Sequence, residues 1–257
     1  MSGSADAQVE ELRKLVALSC RILARTGCVR EITGHVSARI PGTDEFVVRC
    51  RPPQDPGVEF TVSDDVKRVN LETTNDDLEG GYILPGEWPI HSEIYRARPG
   101  TSSVVHGHPR SSLICGILAL PLRPVVGAYD PGMLELTVRG VPVFDNSVLI
   151  STADLGQQVV ATLGDTDACM LRGHGVVAVG ASVQEATVRA IKLEALADLT
   201  LGLHSVPGAR PIELDEHEIK EVGGFVNNQH GSRVYAEWTF DHYRLALGDR
   251  ADVLRRT

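Results

Sequence analysis

The sequence predicts a single α/β domain that occupies all 257 residues. Two long amphipathic segments, residues 5–26 and 183–203, enclose a series of short β-prone runs that are separated by turn residues. The chain shows no internal repeat, no low-complexity segment and no clear linker. A chain of this length suits one large domain or two small ones, and one α/β domain is the simplest interpretation.

Composition and charge exclude several classes of function. The chain is 42% hydrophobic and 23% charged, as expected of a globular protein, and its formal net charge of −9 argues against binding nucleic acid or an anionic membrane surface. No apolar run approaches the roughly 20 residues of a membrane span. The first six residues lack the basic start and apolar core of a secretory signal. Five scattered cysteines without a C-x-x-C motif indicate reduced thiols and predict a cytoplasmic protein.

The N-terminal part of the chain predicts one helix followed by a hairpin. Apolar residues recur at three- and four-residue steps over residues 5–26, and Gly27 is placed to end that helix. Residues 34–40 and 45–51 predict two strands that a Pro-Gly-Thr-Asp turn joins. Residues 63–70 predict a capped turn that leads into a short strand, and an acidic surface loop follows.

The middle of the chain alternates between helices and strands. Pro89 suits the first turn of a helix that ends at Pro99-Gly100. A strand follows at residues 104–108, and the apolar residues 113–120 fit either a helix or a strand. Short strands are predicted at residues 123–126 and 141–144. A helix is predicted from residues 151–154 to Gly164, because an acid occupies its N-terminal turn.

The C-terminal part predicts a second hairpin and a helical end. Residues 168–172 and 176–179 predict strands on either side of a Gly-His-Gly turn. A long helix over residues 183–203 follows, with glutamate and lysine on one side. Residues 213–222 predict a terminal helix, and a polar, aromatic tail continues through Tyr243.

His106 and His108 form the pattern around which the predicted site is organised. They are two positions apart in a β-prone run that ends at Pro109, so their side chains lie on the same face at the end of a strand. Gly107 leaves space between them, and two such imidazoles can bind one metal ion. Taken alone, an H-x-H pair fits two surface histidines equally well.

His174 and Glu87 extend this pattern. His174 lies in a turn between two glycines, which leave its imidazole open. Three neutral imidazoles leave positions free on a divalent ion, as in a catalytic metal site. Glu87 precedes a helix and fits an acid/base, or a metal ligand when substrate is absent. Its alternative role is a charge that meets the helix dipole.

Several motifs together resemble the class II aldolase/adducin family. Their order and spacing match from about Cys20 to Leu203, and they comprise Gly34-His35-Val36-Ser37 with Arg39, Glu87-Trp88 with His91, Tyr95 and Arg98-Pro99, Val104-Val105-His106 with His108, and Leu171-Arg172 with His174-Gly175. The resemblance implies a three-layer αβα sandwich around a central mixed, mainly antiparallel sheet. It also implies a C4-type homotetramer with active sites at subunit interfaces.

The resemblance further implies one divalent metal ion per chain, zinc, manganese or iron, bound by His106, His108 and His174, with Glu87 as the acid/base. Adducins keep the fold without the metal site. Because this chain keeps all three histidines, we interpret it as an enzyme.

The chain departs from sugar-phosphate members of the family where they bind phosphate. Their Thr-Pro-(Ser/Thr)-Gly loop corresponds here to residues 49–53, which begin Arg49-Cys50-Arg51, and their Ser-Ser pair before the glutamate corresponds to Pro85-Gly86. Guanidinium groups can form paired hydrogen bonds with a carboxylate. We therefore predict a carboxylate substrate without phosphate, bound by Arg49 and Arg51, which are expected to share a strand face, and by Arg110. The alternative for these arginines is a solvated surface.

Other residues complete the predicted site. His35 replaces the phosphate-binding asparagine of the family and is a catalytic candidate or a turn residue. Ser37, in the same motif, is a candidate for substrate binding, and Tyr129 is a candidate to line the pocket. His91 either orients a neighbour or packs inside its helix, and we expect packing. A C-terminal tyrosine, Tyr235 or Tyr243, is expected to reach a neighbouring subunit's site or to pack in the core.

The leading prediction is a metal-dependent carbon–carbon lyase that decarboxylates a hydroxy-substituted aromatic or heteroaromatic acid. An aldolase or epimerase on a sugar acid or sugar phosphate is the first alternative. A non-haem iron oxygenase on the same fold is the second, because three histidines can hold iron with open positions. A metal-free interaction module of the adducin type is the third.

Overall fold

The computed structural model describes residues 2–229 and 231–254. Seven strands in these residues form one sheet, and they are, in chain order, β1 His35–Arg39, β2 Glu45–Arg49, β3 Val66–Asn70, β4 Ser103–Gly107, β5 Val143–Phe144, β6 Ala168–Leu171 and β7 Gly175–Gly180. The eight described α-helices are α1 Ser2–Arg25, α2 Trp88–Ala97, α3 Arg110–Leu118, α4 Pro131–Arg139, α5 Ala153–Leu163, α6 Val183–His204, α7 Glu216–Gln229 and α8 Gly231–Ala246. None of these helices is long and apolar enough to cross a membrane.

The sheet is mixed but mainly antiparallel, with the strand order β3-β2-β1-β4-β7-β6-β5. All neighbouring strands run antiparallel except β5 and β6. β1 and β4 are adjacent in the middle of the sheet, and their register places His35 opposite His106. The N-terminal end of β1 and the C-terminal end of β4 therefore lie side by side, where the central strands end.

Helices cover both faces of the sheet, and this gives three layers. Alternate residues of a strand point to opposite faces, so Val105 packs in the cluster that contains residues of α1, α3 and α6, whereas Val104 packs in the cluster of α2 and α5. Ile90 and Ile94, one turn apart on α2, are fully buried in the second cluster, and each such side chain contributes about 1.5–3 kcal/mol through burial. The predicted αβα sandwich is confirmed.

Local signals explain where several helices begin. Thr152 and Ser182 precede α5 and α6, and their hydroxyl oxygens accept hydrogen bonds from the N–H groups of Leu155 and Glu185, at 3.3 and 3.1 Å. The apolar stretch at residues 113–120, which fitted a helix or a strand, lies mostly in helix α3. The sequence thus predicts these helix starts correctly.

Two sequence-based expectations about secondary structure are wrong, and one helix was not expected. Residues 123–126 form no strand, because Pro124 cannot donate to a strand ladder and its carbonyl instead accepts from Leu214 N. The described residues of the C-terminal tail through Tyr243 are helical and belong to α7 up to Gln229 and to α8 from Gly231. Helix α4 was not predicted, although Asp130-Pro131 is a capping signal, and the Asp130 carboxylate accepts from Gly132 N and Met133 N.

Candidate metal centre

The end of β4 places His106 and His108 side by side. β4 ends at Gly107, and the His108 N–H donates to Cys28 O at 2.9 Å. The Nε2 atoms of the two histidines lie 3.0 Å apart. A Cβ atom on Gly107 would lie 2.5 Å from Cys28 O, so glycine is required for the chain to pass this close to the loop after α1.

The turn between β6 and β7 brings His174 to the same point. Gly173 adopts a φ of 65°, which favours glycine, and a Cβ on Gly175 would collide with Gly107 O. The His174 ring centroid lies 4.9 Å from that of His106 and 5.1 Å from that of His108. The end of β4 and the turn between β6 and β7 therefore pack directly against each other, and glycines make this close approach possible.

Glu87, immediately before α2, completes the group from the helical layer. One carboxylate oxygen lies 3.2 Å from His106 Nε2 and the other 3.2 Å from His174 Nε2. The second oxygen also accepts a hydrogen bond from the backbone N–H of Ile150 at 2.9 Å. One ligand atom from each of Glu87, His106, His108 and His174 lies within 4.8 Å of the others, and we call these four residues the metal cluster.

The hydrogen-bonding state of the cluster fits a bound cation. His106 Nδ1 lies 3.0 Å from Val176 O, and because a carbonyl can only accept, Nδ1 carries the proton and Nε2 presents its lone pair to the cluster. Among the described residues, neither ring nitrogen of His174 has a hydrogen-bond partner, although both are buried. Such an unsatisfied buried group costs about 1–3 kcal/mol. Three imidazole nitrogens and a carboxylate are a donor set that divalent transition metals accept.

Burial and neighbouring charges set protonation states that suit metal binding. Burial, and then the neighbouring His106 and His174, lower the pKa of His108 to about 3. Burial raises the pKa of Glu87, but the imidazoles of His106 and His174, each 3.2 Å from one of its oxygens, together outweigh that effect and hold the pKa well below its usual range. Neutral imidazole and ionised carboxylate are the forms that bind metal.

A hydrogen-bonded chain of four buried side chains lies beside the metal cluster. His35 Nδ1 and His91 Nε2 are 2.6 Å apart, His91 Nδ1 and Ser37 Oγ are 2.6 Å apart, and Ser37 Oγ and Tyr95 OH are 2.8 Å apart. The His35 ring centroid lies 5.0 Å from that of His106. We call this group, His35, His91, Ser37 and Tyr95, the relay.

The relay changes two sequence-based interpretations. His91 packs against Trp88, as expected, with ring centroids 5.6 Å apart, but it also bonds to His35 and Ser37. Ser37 is fully buried, and its hydroxyl contacts His91 and Tyr95. It is therefore not placed to contact a substrate, because the strand pleat turns it inward beneath α2.

Of the predicted arginine pair, Arg49 is bound within the protein and not at the cluster. Arg49 is 2% exposed, and its guanidinium pairs with Asp55 at 2.6 Å. It neighbours the Cys20 thiol on the α1 side of the sheet, the opposite face from Ser37 and His91. β2 ends at Arg49, so Arg51 lies beyond the regular pleat, partly exposed, with its guanidinium 3.4 Å from Ile32 O. Arg49 is therefore held by an ion pair within the chain.

The other candidates lie outside the cluster of this chain. Arg110 is exposed and begins α3, one residue after Pro109. Tyr129 is 84% exposed just before α4. On α8, Tyr235 is 37% exposed, and Tyr243 is partly buried against the core that includes α1 and α6.

Sequence reasoning missed two features that hold the site. Ile150 contributes through its backbone, which no side-chain pattern reveals. Glu194 on α6 accepts hydrogen bonds from Ser111 N and Ser112 N, at 2.7 and 2.8 Å, and so anchors the start of α3 just after His108. The role of Glu194 could have been predicted, because a glutamate on an otherwise buried face of a helix needs hydrogen-bond donors.

Comparison with known proteins identifies the family of this chain and several relatives. The family described as Class II Aldolase and Adducin N-terminal domain matches residues 14–201, a range that includes the whole metal cluster. The 3,4-dihydroxyphthalate decarboxylase of Arthrobacter keyseri is 37% identical over 236 residues, which cover 88% of this chain and 95% of the relative. The 3,4-dihydroxyphthalate decarboxylase of Rhodococcus jostii (strain RHA1) is 36% identical over 220 residues, 84% of this chain and 90% of the relative.

A solved structure shares the fold. The L-fuculose 1-phosphate aldolase from Glaciozyma antarctica PI12 superposes with a TM-score of 0.78 at 20% sequence identity, covering 96% of this chain and 94% of the aldolase. That identity supports the likeness of fold alone. The predicted lyase class is confirmed by the curated relatives, which are decarboxylases. The chain therefore belongs to the class II aldolase and adducin N-terminal domain family and is most similar to decarboxylase-type members.

Proposed function

We propose that this enzyme is a metal-dependent decarboxylase of a hydroxy-substituted aromatic carboxylic acid, with 3,4-dihydroxyphthalate as the leading candidate. The observation that carries the proposal is the metal cluster, whose four ligand atoms lie within 4.8 Å of one another. It is supported by the identity of 36–39% to three relatives named 3,4-dihydroxyphthalate decarboxylase. One divalent ion per chain, zinc, manganese or iron, is part of the proposal.

His106, His108 and His174 would hold the metal ion, and the packed glycines between them set their spacing. When bound, such an ion supplies Lewis-acid catalysis, because it withdraws electrons from oxygen atoms of the substrate. The three imidazoles are neutral ligands, which leave the positive charge of the ion available to a dianionic aromatic acid. The partly exposed edges of His108 and His174 give the substrate its access.

Glu87 is the proposed proton-transfer group. Its ionised carboxylate takes the proton of a substrate hydroxyl, holds it, and returns it to the ring carbon that carried the departing carboxylate. The bond between that ring carbon and the carboxylate breaks, its electron pair remains on the ring, and carbon dioxide leaves. The backbone N–H of Ile150 bonds to one Glu87 oxygen at 2.9 Å and so keeps the carboxylate oriented through both transfers.

We propose Arg51 and Arg110 as contacts for the substrate carboxylates. Arg51 is partly exposed beyond the end of β2, and Arg110 is exposed two residues after His108. A guanidinium group can donate two parallel hydrogen bonds to a carboxylate. Arg49 and Ser37 are not part of this proposal, because both are buried and already bonded within the protein.

We also propose a homotetramer in the cytoplasm. Large apolar side chains that include Tyr129, at 84% exposure, and Leu149, at 69%, are uncovered in the single chain, and such side chains mark contact surfaces when they adjoin. Tyr129 and Tyr235 are the exposed candidates to complete a neighbour's site. All five cysteines are free and buried, which suits a reducing compartment. Light scattering should give a tetramer, and a fully active monomer would refute the shared sites.

The decisive experiment combines metal analysis with a carbon dioxide assay. Protein purified without added metal should contain about one divalent ion per chain, and its release of carbon dioxide from 3,4-dihydroxyphthalate should stop after chelation and return with one of the three metals. Related hydroxybenzoates and a sugar phosphate serve as comparison substrates. Cleavage of the sugar phosphate, or oxygen consumption without carbon dioxide release, would replace the decarboxylase by the aldolase or the oxygenase.

A further inference from the structure

The direction of the hydrogen bonds in the relay determines which nitrogen of His35 carries the proton. The contacts of Tyr95, at the other end of the relay, set that direction. The Tyr95 oxygen lies 2.8 Å from Ser37 Oγ. Among the described residues, the other polar groups that act on its hydroxyl are the backbone N–H of Val104 and the Arg39 guanidinium, which lies over its ring. Both of these groups are donors and cannot accept a proton. Tyr95 therefore donates its hydroxyl proton to Ser37.

This direction propagates through the whole relay. Ser37 receives from Tyr95 and so donates its own hydroxyl proton to His91 Nδ1, 2.6 Å away. His91 is neutral, so it carries its single proton on Nε2 and donates it to His35 Nδ1, also 2.6 Å away. A neutral His35 must then carry its proton on Nε2, the nitrogen that has no hydrogen-bond partner among the described residues.

We propose that His91, Ser37 and Tyr95 are positioning residues that lock His35 as a hydrogen-bond donor, through Nε2, to an anionic oxygen of the substrate. This inference rests on the proposed function, because the oxygen belongs to the aromatic acid. His35 is in place for the task, since its ring lies 5.0 Å from that of the ligand His106 and its titratable neighbours include Glu87 and His108. His35 would thus be a catalytic residue, and the other three would act through it.

A donor fixed in this way has a specific use in decarboxylation. A neutral N–H stabilises a carboxylate or phenolate oxygen without adding a second cation beside the metal ion. A hydrogen bond to a charged group contributes about 1.5–3 kcal/mol, which corresponds to roughly a 10- to 100-fold change in affinity. The opposite tautomer would present a lone pair to the anionic oxygen and repel it.

Neutron diffraction from crystals of the holoenzyme exchanged into D2O tests the relay directly. Deuterium is expected on Nε2 of both His35 and His91 and on Tyr95 OH directed toward Ser37. Deuterium on His35 Nδ1 would overturn the assignment. This measurement needs no substrate, so it decides the relay even if the parent enzyme releases no carbon dioxide, in which case the proposed function alone fails.

A double-mutant cycle tests whether the relay acts through His35. Ser37→Ala should lower kcat/KM for the aromatic acid about 10-fold, the lower end of effects seen for groups that orient active-site ligands, and the metal content should stay unchanged. In the His35→Ala background, Ser37→Ala should cause no further loss. An equal loss in both backgrounds would refute the proposal.

Ser103→Ala is the matched control. It removes another fully buried hydroxyl, one that donates to the Ser37 carbonyl at 2.8 Å but is not part of the relay. It should keep the kcat/KM of the parent, and a loss equal to that of Ser37→Ala would make the effect a general one of the strand pair. If Ser37→Ala does not fold, Tyr95→Phe, whose ring stays stacked on Phe46, takes its place in the cycle.

Discussion

His35 lies directly opposite His106 across the antiparallel pair of β1 and β4, and the two ring centroids are 5.0 Å apart. Residues paired across two strands point to the same face of a sheet. One register therefore places a candidate substrate contact beside a candidate metal ligand, and both face the layer that contains α2. A slip of one of these strands by one residue would turn its ring to the opposite face and so separate the two rings.

Replacing a cluster histidine should remove the metal. We expect His108→Ala to lose most of its bound metal and its activity while remaining folded, because His108 lies beyond β4 and is only partly buried. Metal analysis and circular dichroism measure the two effects. His217→Ala, which changes an exposed histidine on α7, is the control. Full metal content and turnover in His108→Ala would show that the cluster is not the metal site.

Glu87→Gln should separate proton transfer from metal binding. The amide oxygen can still accept from Ile150 N, so the position of the side chain is kept. Turnover is expected to fall by roughly 10²-fold or more, the usual size of a general acid–base contribution, with the metal retained. Glu93→Gln, at a buried glutamate of the same helix outside the cluster, should keep its turnover. Near-parent turnover of Glu87→Gln would assign Glu87 a structural role.

Gly107→Ala should damage the metal site through packing. The added Cβ would lie 2.5 Å from Cys28 O, and relief of such overpacking typically costs about 1–3 kcal/mol. We expect a lower Tm and weaker metal binding, because His106 and His108 flank the displaced residue. Gly100→Ala adds a methyl group where no atom lies within 4 Å and should be neutral. Equal metal affinity in the two variants would contradict this account.

The two neighbouring arginines should behave differently when replaced. Arg49→Ala leaves the partly buried carboxylate of Asp55 without its guanidinium partner, and breaking a buried ion pair typically costs up to about 3–5 kcal/mol of unfolding free energy. Arg51→Ala should leave stability nearly unchanged and raise KM for the aromatic acid by roughly 10-fold, as for a lost charged hydrogen bond. Urea denaturation and steady-state kinetics distinguish them. A raised KM in a stable Arg49→Ala enzyme would restore Arg49 as a substrate contact.

Acid should destabilise the fold through His91. Burial lowers the pKa of His91 to about 3, whereas the unfolded chain has the ordinary value of about 6.5. Because the pKa is lower in the folded state, the contribution to stability is complete above about pH 6.5 and is lost as the pH falls toward 3, where the unfolded chain binds the extra proton. Within this window we expect a slope of up to about 1.4 kcal/mol per pH unit from this group.

Urea denaturation across that pH range measures the slope. His91→Gln should reduce it, whereas His217→Gln, at an exposed histidine, should not. An unchanged slope in His91→Gln would show that His91 does not contribute to acid sensitivity.

Local geometry accounts for part of the arrangement in the metal cluster, and the family resemblance implied that its members converge. A two-residue spacing in a strand places His106 and His108 on one side, and the glycines around His174 mark an open turn. Arg49 was misplaced because its partner, Asp55, lies in a loop without periodicity. The relay depends on contacts between β1 and α2, 54 to 58 residues apart, which no local pattern specifies.

The anchor of Glu87 is a main-chain N–H, and this has a consequence for enzyme design. The hydrogen bond comes from the backbone of Ile150, whose side chain is buried in the core, so the exposed side chains that precede Ile150 can be varied without removing the anchor. Leu149, next in the chain to Ile150, is 69% exposed. A library of variants at Leu149 and its exposed neighbour Val148 could therefore be tested for activity on aromatic acids of other shapes. In all of these variants the backbone N–H of Ile150 would still orient the Glu87 carboxylate.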